Sequence, residues 1–415
     1  MRKRPPFAQR RDTLPNFAES TMTSMHVHSP TSANSTMPVR SIGSDHGAEI
    51  PKDGIGLCLS GGGYRAMLFH TGTLWRLNEL GILRKLNRVS SVSGGSIVAG
   101  VLGHQWMNLT WNETTDAAEN FVELVVARVR ALARKTIDRG AIIGGSLLPG
   151  SISSRVVRQY RKRLFGEDTL QALPEDGDGP RFVINALNVQ SGALWRFMRP
   201  YMRDWRVGEV KNPEVQLAAA VAASSSFPPF LSPLELELDD ALFTPNSGSD
   251  LQDAAFRKSV VLTDGGVYDN LGLETVWKRY KTVLVSDAGG KLAAAREPKR
   301  DWLRHTYRVL NLIDDQVRSL RKRQVIDSLA AGERLGAYWG IRTDIANYGL
   351  ENSHPAPLEN TLALARTPTR LKKLSKRRQE RLINWGYAVC DAAMRTHVTP
   401  EADRQPVWPY DENKP

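Results

Sequence analysis

The sequence predicts an α/β protein with three layers, in which helices cover both faces of a mostly parallel central sheet. Short apolar segments recur along the chain and end in glycine-rich turns, as the buried strands of a parallel sheet do. Segments with helical periodicity alternate with them, as crossover connections require. Hydrophobic residues make up 41% of the 415-residue chain, enough for a large core. No apolar run reaches the ~18 residues that span a bilayer.

Residues 1–50 are expected to form a disordered basic tail. The segment has a basic start, is rich in Ser, Thr, Pro, His and Met, and shows no periodicity, a composition that favours disorder. Because no apolar stretch follows the basic start, a secretory signal is not expected. An organelle transit peptide is the alternative, but the prolines disfavour the amphipathic helix that such a leader forms.

Order is expected to begin near Gly54, and a strand–turn–helix pattern then occurs twice. Residues 55–59 are apolar and run into three glycines at 61–63, after which apolar positions follow helical spacing. A second strand at 88–92 runs into a serine and two glycines at 93–95, again followed by a helical segment. Such repetition is typical of a parallel sheet with crossover helices.

Further strands are expected at 181–187, 260–263 and 282–286, and helices at 268–280 and 301–329. The alternation continues to about residue 345. We therefore predict one domain over residues 51–345, followed by a helical and proline-rich C-terminal extension over residues 346–415.

The charge of the chain suits an anionic partner. Lys and Arg number 56 against 44 Asp and Glu, a net charge of +12, with basic clusters at 318–323 and 372–381 that fit attraction to anionic lipid. Nucleic acid is not expected, because no basic stripe with interleaved aromatic residues is present. Cys58 and Cys390 are too few for a disulfide framework and fit a reducing compartment. We expect a cytoplasmic protein with peripheral membrane contact.

The first glycine turn is suited to bind an anion. Gly61, Gly62 and Gly63 lie between a strand and a helix, where backbone N–H groups and the helix dipole favour negative charge. An ordinary tight turn is the simpler interpretation. A nucleotide-binding loop is a further alternative, but no Gly-Lys-Ser/Thr sequence or dinucleotide-binding fingerprint is present.

The second turn places Ser93 between a strand and a helix, the layout of a nucleophile elbow. In that motif a sharp turn exposes the serine oxygen beside a helix N-terminus. Ser91 occupies the position of the motif's first glycine, where a small residue is sterically tolerable. A turn without a catalytic role is the alternative.

The third turn follows Asp264, and a similar turn follows Asp287. An aspartate before glycine ordinarily forms a turn and has no chemical role. A carboxylate at the end of a parallel strand, however, lies where open α/β sheets bind their ligands. Position alone therefore leaves both aspartates as candidates.

A serine on an elbow needs a base to accept its proton and N–H donors for the developing oxyanion, and all three parts are present. In this combination the chain resembles the patatin-like phospholipase family. The resemblance extends over about residues 54–345. It rests on residues 59–65 (LSGGGYR), 91–95 (SVSGG), 223–228 (ASSSFP) and 264–270 (DGGVYDN).

The resemblance implies a hydrolase with a Ser–Asp dyad that uses no histidine base, no metal and no cofactor. It assigns the nucleophile to Ser93 and the proton acceptor to Asp264, because the family pattern continues after Asp264 and not after Asp287. The oxyanion site is assigned to Gly61, Gly62, Gly63 and Arg65.

Three positions depart from the family pattern without removing a reacting group. Ser60 stands where many members have aspartate, and Ser91 replaces the elbow glycine. Residues 271–272, a leucine and a glycine, replace a proline that often follows the motif.

A Ser–Asp–His hydrolase is the rival mechanism, and its histidine would follow the acid. His305, His354 and His397 do follow Asp264, but none lies in a glycine turn at a strand end. His70, on the helix after the glycine loop, is expected to be a packing residue.

The expected activity is hydrolysis of fatty-acyl esters of phospholipids or lysophospholipids through an acyl-enzyme. One alternative keeps the site but acts on soluble esters or thioesters. Another is a catalytically silent module that binds a lipid or another anion through the glycine loop.

Overall fold

The computed structural model describes residues 51–138, 151–229, 231–400 and 406–415, and a ten-stranded sheet forms its centre. The predicted tail, residues 1–50, lies outside the described residues. The strands are β1 Lys52–Leu59, β2 Arg88–Val92, β3 Trp111–Asn112, β4 Ala117–Ala118, β5 Arg181–Asn188, β6 Leu194–Phe197, β7 Tyr201–Asp204, β8 Gly208–Lys211, β9 Leu234–Glu237, β10 Ser259–Asp264, β11 Tyr280–Asp287 and β12 Leu335–Gly340.

The core of the sheet is parallel, in the strand order β12, β11, β1, β2, β5. Beyond β5, the strands β6, β7 and β8 continue the sheet in antiparallel pairs. The predicted α/β fold with a mostly parallel central sheet is confirmed. The antiparallel extension was not predicted, because its strands have four residues each and so short a pattern does not separate strand from loop.

Helices cover both faces of the sheet, and the apolar side chains of β1 alternate between these two faces. Leu57 and Leu59 belong to one hydrophobic cluster, whereas Cys58 belongs to another with Val276 and Val283, because successive side chains of a strand point to opposite faces. The helices are α1 Gly63–Glu79, α2 Gly94–Gln105, α3 Ala127–Ala133, α4 Ser151–Tyr160, α5 Leu217–Ser224, α6 Ala254–Arg257, α7 Gly266–Asp269, α8 Glu274–Trp277, α9 Trp302–Ala330, α10 Leu358–Ala365 and α11 Lys376–His397.

Helix α11 packs closely along α1. A Cβ at Gly72 would lie 1.9 Å from the carbonyl oxygen of Ile383, and one at Gly386 would lie 1.8 Å from that of Phe69. Both positions therefore need glycine. The helix expected in a C-terminal extension thus packs into the core, and the described residues from 51 onward belong to one compact unit.

Helix α9 agrees with its predicted range and exposes several apolar side chains. Trp302 is 78% exposed, Ile313 56% and Leu320 57%. Large apolar side chains of this helix therefore face solvent. Among the described residues, no helix combines the length and the apolar character needed to cross a membrane.

Candidate active site

Two strands end face to face beside β5, and their ends create the candidate site. β2 runs parallel to β5 and ends with Val92 opposite Asn185, whereas β10 runs antiparallel to β5 and ends with Asp264 opposite Ala186. Ser93, the residue after β2, therefore meets Asp264. The expectation that Asp264 ends a parallel strand is wrong, because the direction of β10 is set by its pairing with β5, which no local pattern encodes.

Ser93 lies on a tight turn between β2 and α2, with φ 52° and ψ −119°. A non-glycine residue rarely adopts this conformation, which costs about 1–3 kcal/mol. A Cβ at Gly94 would lie 2.2 Å from the carbonyl oxygen of Gly63, and one at Gly95 would lie 2.4 Å from that of Leu59. The two glycines thus allow the turn to pack against the glycine loop.

Residues 224–226, at the end of α5, hold both sides of the site. The Ser224 hydroxyl accepts a hydrogen bond from the Ser93 N–H at 3.0 Å. The Ser226 carbonyl accepts one from the Asp264 N–H at 3.0 Å. In the sequence this segment is marked only by its resemblance to the family pattern, because a contact that joins two distant strand ends has no local signal.

Asp264 is 1% exposed, and its two carboxylate oxygens differ in their contacts. Oδ1 accepts a hydrogen bond from the Gly266 N–H at 2.7 Å, whereas Oδ2 has no partner within the described ranges. Burial raises the pKa of Asp264 to about 7, although the Gly266 N–H and the Ser93 hydroxyl both lower it. The Ser93 hydroxyl is therefore a neighbour of the carboxylate that favours its ionised form.

Asp287, the alternative base, is engaged on both oxygens. Oδ1 accepts a hydrogen bond from the Gly289 N–H at 2.7 Å, and Oδ2 accepts one from the Tyr338 hydroxyl at 2.8 Å. Burial would raise the pKa of Asp287, but the charge of Arg318 and these hydrogen bonds outweigh burial and hold the pKa below its usual value. Asp264 alone of the two combines an open oxygen with a pKa near neutrality.

The glycine loop offers fewer open N–H groups than the sequence suggested. The Gly61 N–H donates to the carbonyl oxygen of Asn270 at 3.0 Å and to its Oδ1 at 3.1 Å. The N–H groups of Gly62 and Gly63, at the start of α1, have no acceptor in the described part of the chain, as is usual in the first turn of a helix. Gly61 contributes its small size, since a Cβ there would lie 3.1 Å from the Cβ of Ser93.

Arg65 is 3% exposed and is therefore not a surface residue. Nε donates to the carbonyl of Ala288 at 3.0 Å and Nη1 to that of Thr367 at 2.6 Å. Nη2 has no partner among the described residues and lies next to the loop, since a Cβ at Gly62 would be 2.9 Å from it. Burial and the charge of Arg318 lower the pKa of Arg65 to about 10, so the side chain is charged at neutral pH.

Two cavities meet at Ser93, each with a volume of about 290 Å³. The first is basic on balance, since the five cations Arg65, Lys291, Arg318, Arg342 and Arg366 outnumber the three acids Asp264, Asp314 and Asp315. The second is mainly apolar, with Phe227, Leu231 and Leu371 in its wall. Among the described residues, no group of three or more His, Cys, Asp or Glu side chains is arranged to hold a metal ion.

The histidines have structural contacts away from Ser93. His70 bridges the Ser286 hydroxyl and the Ser60 carbonyl, both at 2.9 Å, and burial lowers its pKa to about 4, so it is neutral and supports the segment before the glycine loop. His354 packs against Trp408 with ring centroids 3.9 Å apart. None of the four histidines considered from the sequence lines either cavity at Ser93.

The fold and the site together define an α/β protein in which a serine on an elbow faces a carboxylate rather than a histidine. The family model of patatin-like phospholipases matches residues 57–277, which is more than half of the 415-residue chain. The chain belongs to this family, and the predicted resemblance is confirmed.

Similar solved structures include human GIVD cytosolic phospholipase A2, at 12% identity and a TM-score of 0.46, covering 83% of this chain and 62% of that chain. The same human enzyme with methyl gamma-linolenyl fluorophosphonate matches at 14% identity and a TM-score of 0.46, with coverages of 82% and 57%. VipD from Legionella pneumophila matches at 13% identity and a TM-score of 0.34, with coverages of 84% and 68%. The chain spans about three fifths of the human enzyme's length. No curated protein sequence matches the chain.

Proposed function

We propose that the protein is a lipid acyl hydrolase that cleaves fatty-acyl esters of phospholipids or lysophospholipids through an acyl-enzyme on Ser93. The observation that carries the proposal is the pairing of Ser93, on a strained elbow, with the buried Asp264 carboxylate, whose pKa is about 7. Membership of the patatin-like phospholipase family supports the substrate class.

In the first half-reaction, Asp264 accepts the proton of the Ser93 hydroxyl while the serine oxygen attacks the ester carbonyl carbon. Negative charge develops on the carbonyl oxygen, and the N–H groups of Gly62 and Gly63 stabilise it. The ester C–O bond then breaks, and Asp264 returns the proton to the departing alcohol oxygen. The acyl group remains bound to Ser93.

In the second half-reaction, Asp264 accepts a proton from a water molecule, whose oxygen attacks the acyl carbon. The bond to the Ser93 oxygen breaks, and Asp264 passes the proton to that oxygen. One ester and one water thereby become a fatty acid and an alcohol. Asp264 must be ionised at the start of each half-reaction, and its open Oδ2 suits both proton transfers.

The two cavities at Ser93 suit the two ends of a phospholipid. The apolar cavity, with Phe227 and Leu231, accommodates part of an acyl chain, and the basic cavity, with Arg318 and Arg342, accommodates an anionic phosphate. A soluble ester or thioester without an anionic group would leave the basic cavity unused. The phospholipid substrate is therefore favoured over the soluble one.

Covalent labelling with a long-chain alkyl fluorophosphonate tests the proposal. We expect mass spectrometry to find the label on Ser93 in the folded wild type and no label in Ser93→Ala, because only an activated serine attacks the phosphorus. Heat-denatured wild type serves as the control for non-specific reaction. A folded wild type that takes up no label would favour the silent binding module.

Hydrolysis is expected to require ionised Asp264, so that kcat/KM rises about tenfold per pH unit below pH ~7 and levels off above it. Half-buried Asp314, whose own pKa is raised to about 6 by desolvation, raises the pKa of Asp264 through its negative charge. Asp314→Asn should therefore move the inflection to lower pH. Asp327→Asn, on an exposed turn of the same helix, is the matched control and should leave it in place. An inflection that stays at the wild-type pH in Asp314→Asn would contradict this coupling.

We further propose that α9 contacts anionic membranes. The helix exposes Trp302 and Ile313, and the basic residues Lys322 and Arg323 are exposed on it as well, a combination typical of interfacial helices. Tyr307 of the same helix lines both cavities at Ser93. A membrane that binds α9 would therefore lie next to the entrance of the site.

The double variant Trp302→Ser/Ile313→Ser should bind anionic vesicles at least about tenfold more weakly, since burial of one large apolar side chain contributes about 1.5–3 kcal/mol. Val407→Ser, at a position that is 75% exposed elsewhere on the surface, is the matched control. Added salt should weaken the binding of the wild type. Unchanged binding of the double variant, or equally strong binding to neutral vesicles, would argue against this contact.

A further inference from the structure

A further cavity lies at the end of the sheet opposite Ser93. The parallel strands β1, β2 and β11 begin beside it, at Lys52, Arg88 and Tyr280. Its volume is about 750 Å³, within the ~300–1,000 Å³ of small-molecule sites. Because β2 has five residues and a strand rises about 3.3 Å per residue, roughly 16 Å separate the cavity from Ser93. It is therefore a separate site.

The wall of this cavity is strongly basic. Its charged side chains are Lys52, Arg84, Lys85, Arg88, Arg181 and Arg279, against Asp176 and Asp178. Arg84 and Lys85 pair with Asp116, and Arg181 pairs with Asp176. The remaining three cations, Lys52, Arg88 and Arg279, form no ion pair with any residue that the structure describes.

Arg88 is the central residue of this unpaired set. It is 3% exposed, and its Nε has no hydrogen-bond acceptor among the described residues. Its guanidinium packs over the ring of Tyr280, 5.9 Å from the centroid, and Arg181 stands opposite it in register on β5. Like charges in register destabilise a sheet, and a buried cation without a partner is unfavourable. The charge of Arg88 lowers the pKa of Asp176, but Asp176 already pairs with Arg181, so no carboxylate in the described part of the chain forms an ion pair with Arg88.

We propose that this cavity binds a phosphate-bearing small molecule, with Arg88 as the central contact of the phosphate and Lys52 and Arg279 at the rim. A guanidinium matches phosphate geometry through two parallel hydrogen bonds, and several unpaired cations suit a dianion better than a single carboxylate. A soluble phosphate ester and a phosphorylated lipid head group present the same chemistry. The site does not depend on the proposed hydrolase activity.

Binding of inorganic tripolyphosphate to the full-length protein tests the site. We expect saturable binding by calorimetry and a Tm that increases with ligand concentration. In a second arm, the protein is mixed with phosphatidylcholine vesicles with or without phosphatidylinositol 4-phosphate. Recruitment that requires the phosphoinositide and Arg88 identifies a lipid head group as the source, whereas tripolyphosphate binding without recruitment identifies a soluble one.

Arg88→Met keeps the aliphatic part of the side chain and removes the charge, and its affinity for tripolyphosphate should fall about 10- to 100-fold. The ligand-free variant should unfold at the same or a higher temperature than the wild type, because a buried charge that forms no ion pair has been removed. This readout separates a lost ligand contact from a folding defect. Lys52→Glu, at an exposed position, should lower the affinity at least about tenfold.

Lys281→Glu is the matched control for charge. Lys281 is exposed at the start of β11, pairs with Asp53 at 2.9 Å and lies outside the cavity wall, so its variant should bind as the wild type does. The proposal is overturned if neither probe binds saturably, or if Arg88→Met and Lys52→Glu bind unchanged. Equal weakening by Lys281→Glu would indicate attraction to the net charge of +12 and would also overturn it.

Discussion

Asp264→Asn is expected to lower ester hydrolysis at least about 10²–10⁴-fold, the usual contribution of a general base. An amide cannot accept the proton of Ser93, and Asp287, the other candidate base, already accepts hydrogen bonds on both oxygens. Asn retains an oxygen that can accept the 2.7 Å hydrogen bond from the Gly266 N–H, so the turn should persist. Turnover of a lysophospholipid, measured beside circular dichroism, checks both statements.

The same variant should be more stable than the wild type at pH 8. The pKa of Asp264 is about 7 in the folded protein, above its ordinary value of 3.8. Between those two values the unfolded chain releases a proton that the folded protein retains, so stability falls as pH rises and stays low above pH ~7. Asn has no such ionisation. The difference in Tm between variant and wild type should therefore grow from pH 4 to pH 8.

Asp287→Asn is the matched control, because it makes the same change at the end of β11, the next strand along the chain. Its hydrolysis should remain close to that of the wild type, since Asp287 already uses both oxygens on Gly289 and Tyr338. Its stability should fall, because Arg318 loses a neighbouring negative charge. If Asp287→Asn abolished hydrolysis while Asp264→Asn retained it, the proton acceptor would be Asp287.

Arg65→Ala is expected to lower turnover about 10²–10³-fold, the effect of losing one oxyanion donor. Two causes combine: the unpartnered Nη2 next to Gly62 is lost, and the links from α1 to Ala288 and Thr367 are broken. The two buried carbonyl groups that lose their donor should also cost about 1–3 kcal/mol of stability. Turnover should be measured well below the Tm and normalised to the fraction of molecules that react with a fluorophosphonate.

Arg65→Lys separates charge from geometry in this prediction. Lysine keeps the positive charge but cannot serve both carbonyl groups and the loop with one rigid fork, so its turnover should fall between those of the wild type and Arg65→Ala. Normal turnover in folded Arg65→Ala would remove Arg65 from the oxyanion site. Equal losses in both variants would assign the effect to geometry rather than charge.

Local sequence was sufficient to locate the parts of the candidate site. A short strand precedes both Ser93 and Asp264, and two glycines follow each of them, so that both features act within a few residues. Ser93 at φ 52° packs as it does because the next two residues lack side chains. The parallel core of the sheet could be predicted for the same reason, since strand and crossover helix follow each other along the chain.

Tertiary structure alone decided how those parts meet and what charge they carry. The head-to-head approach of β2 and β10 depends on both strands pairing with β5. The Ser224 hydroxyl accepts a hydrogen bond from the Ser93 N–H, although the two residues are 131 positions apart in the chain. Asn270 accepts one from the Gly61 N–H, at a separation of 209 positions. A local sequence pattern cannot indicate contacts between residues so far apart in the chain.

The two aspartates illustrate the difference between the two levels. In the sequence, Asp264 and Asp287 both follow apolar strands and both stand before glycines. Only the fold leaves Oδ2 of Asp264 open in a buried pocket and places Arg318 and Tyr338 beside Asp287. The pKa values of Asp264 and Asp287 differ because burial and neighbouring charge depend on packing between distant segments. The backbone turn that presents each carboxylate, in contrast, depends on adjacent residues.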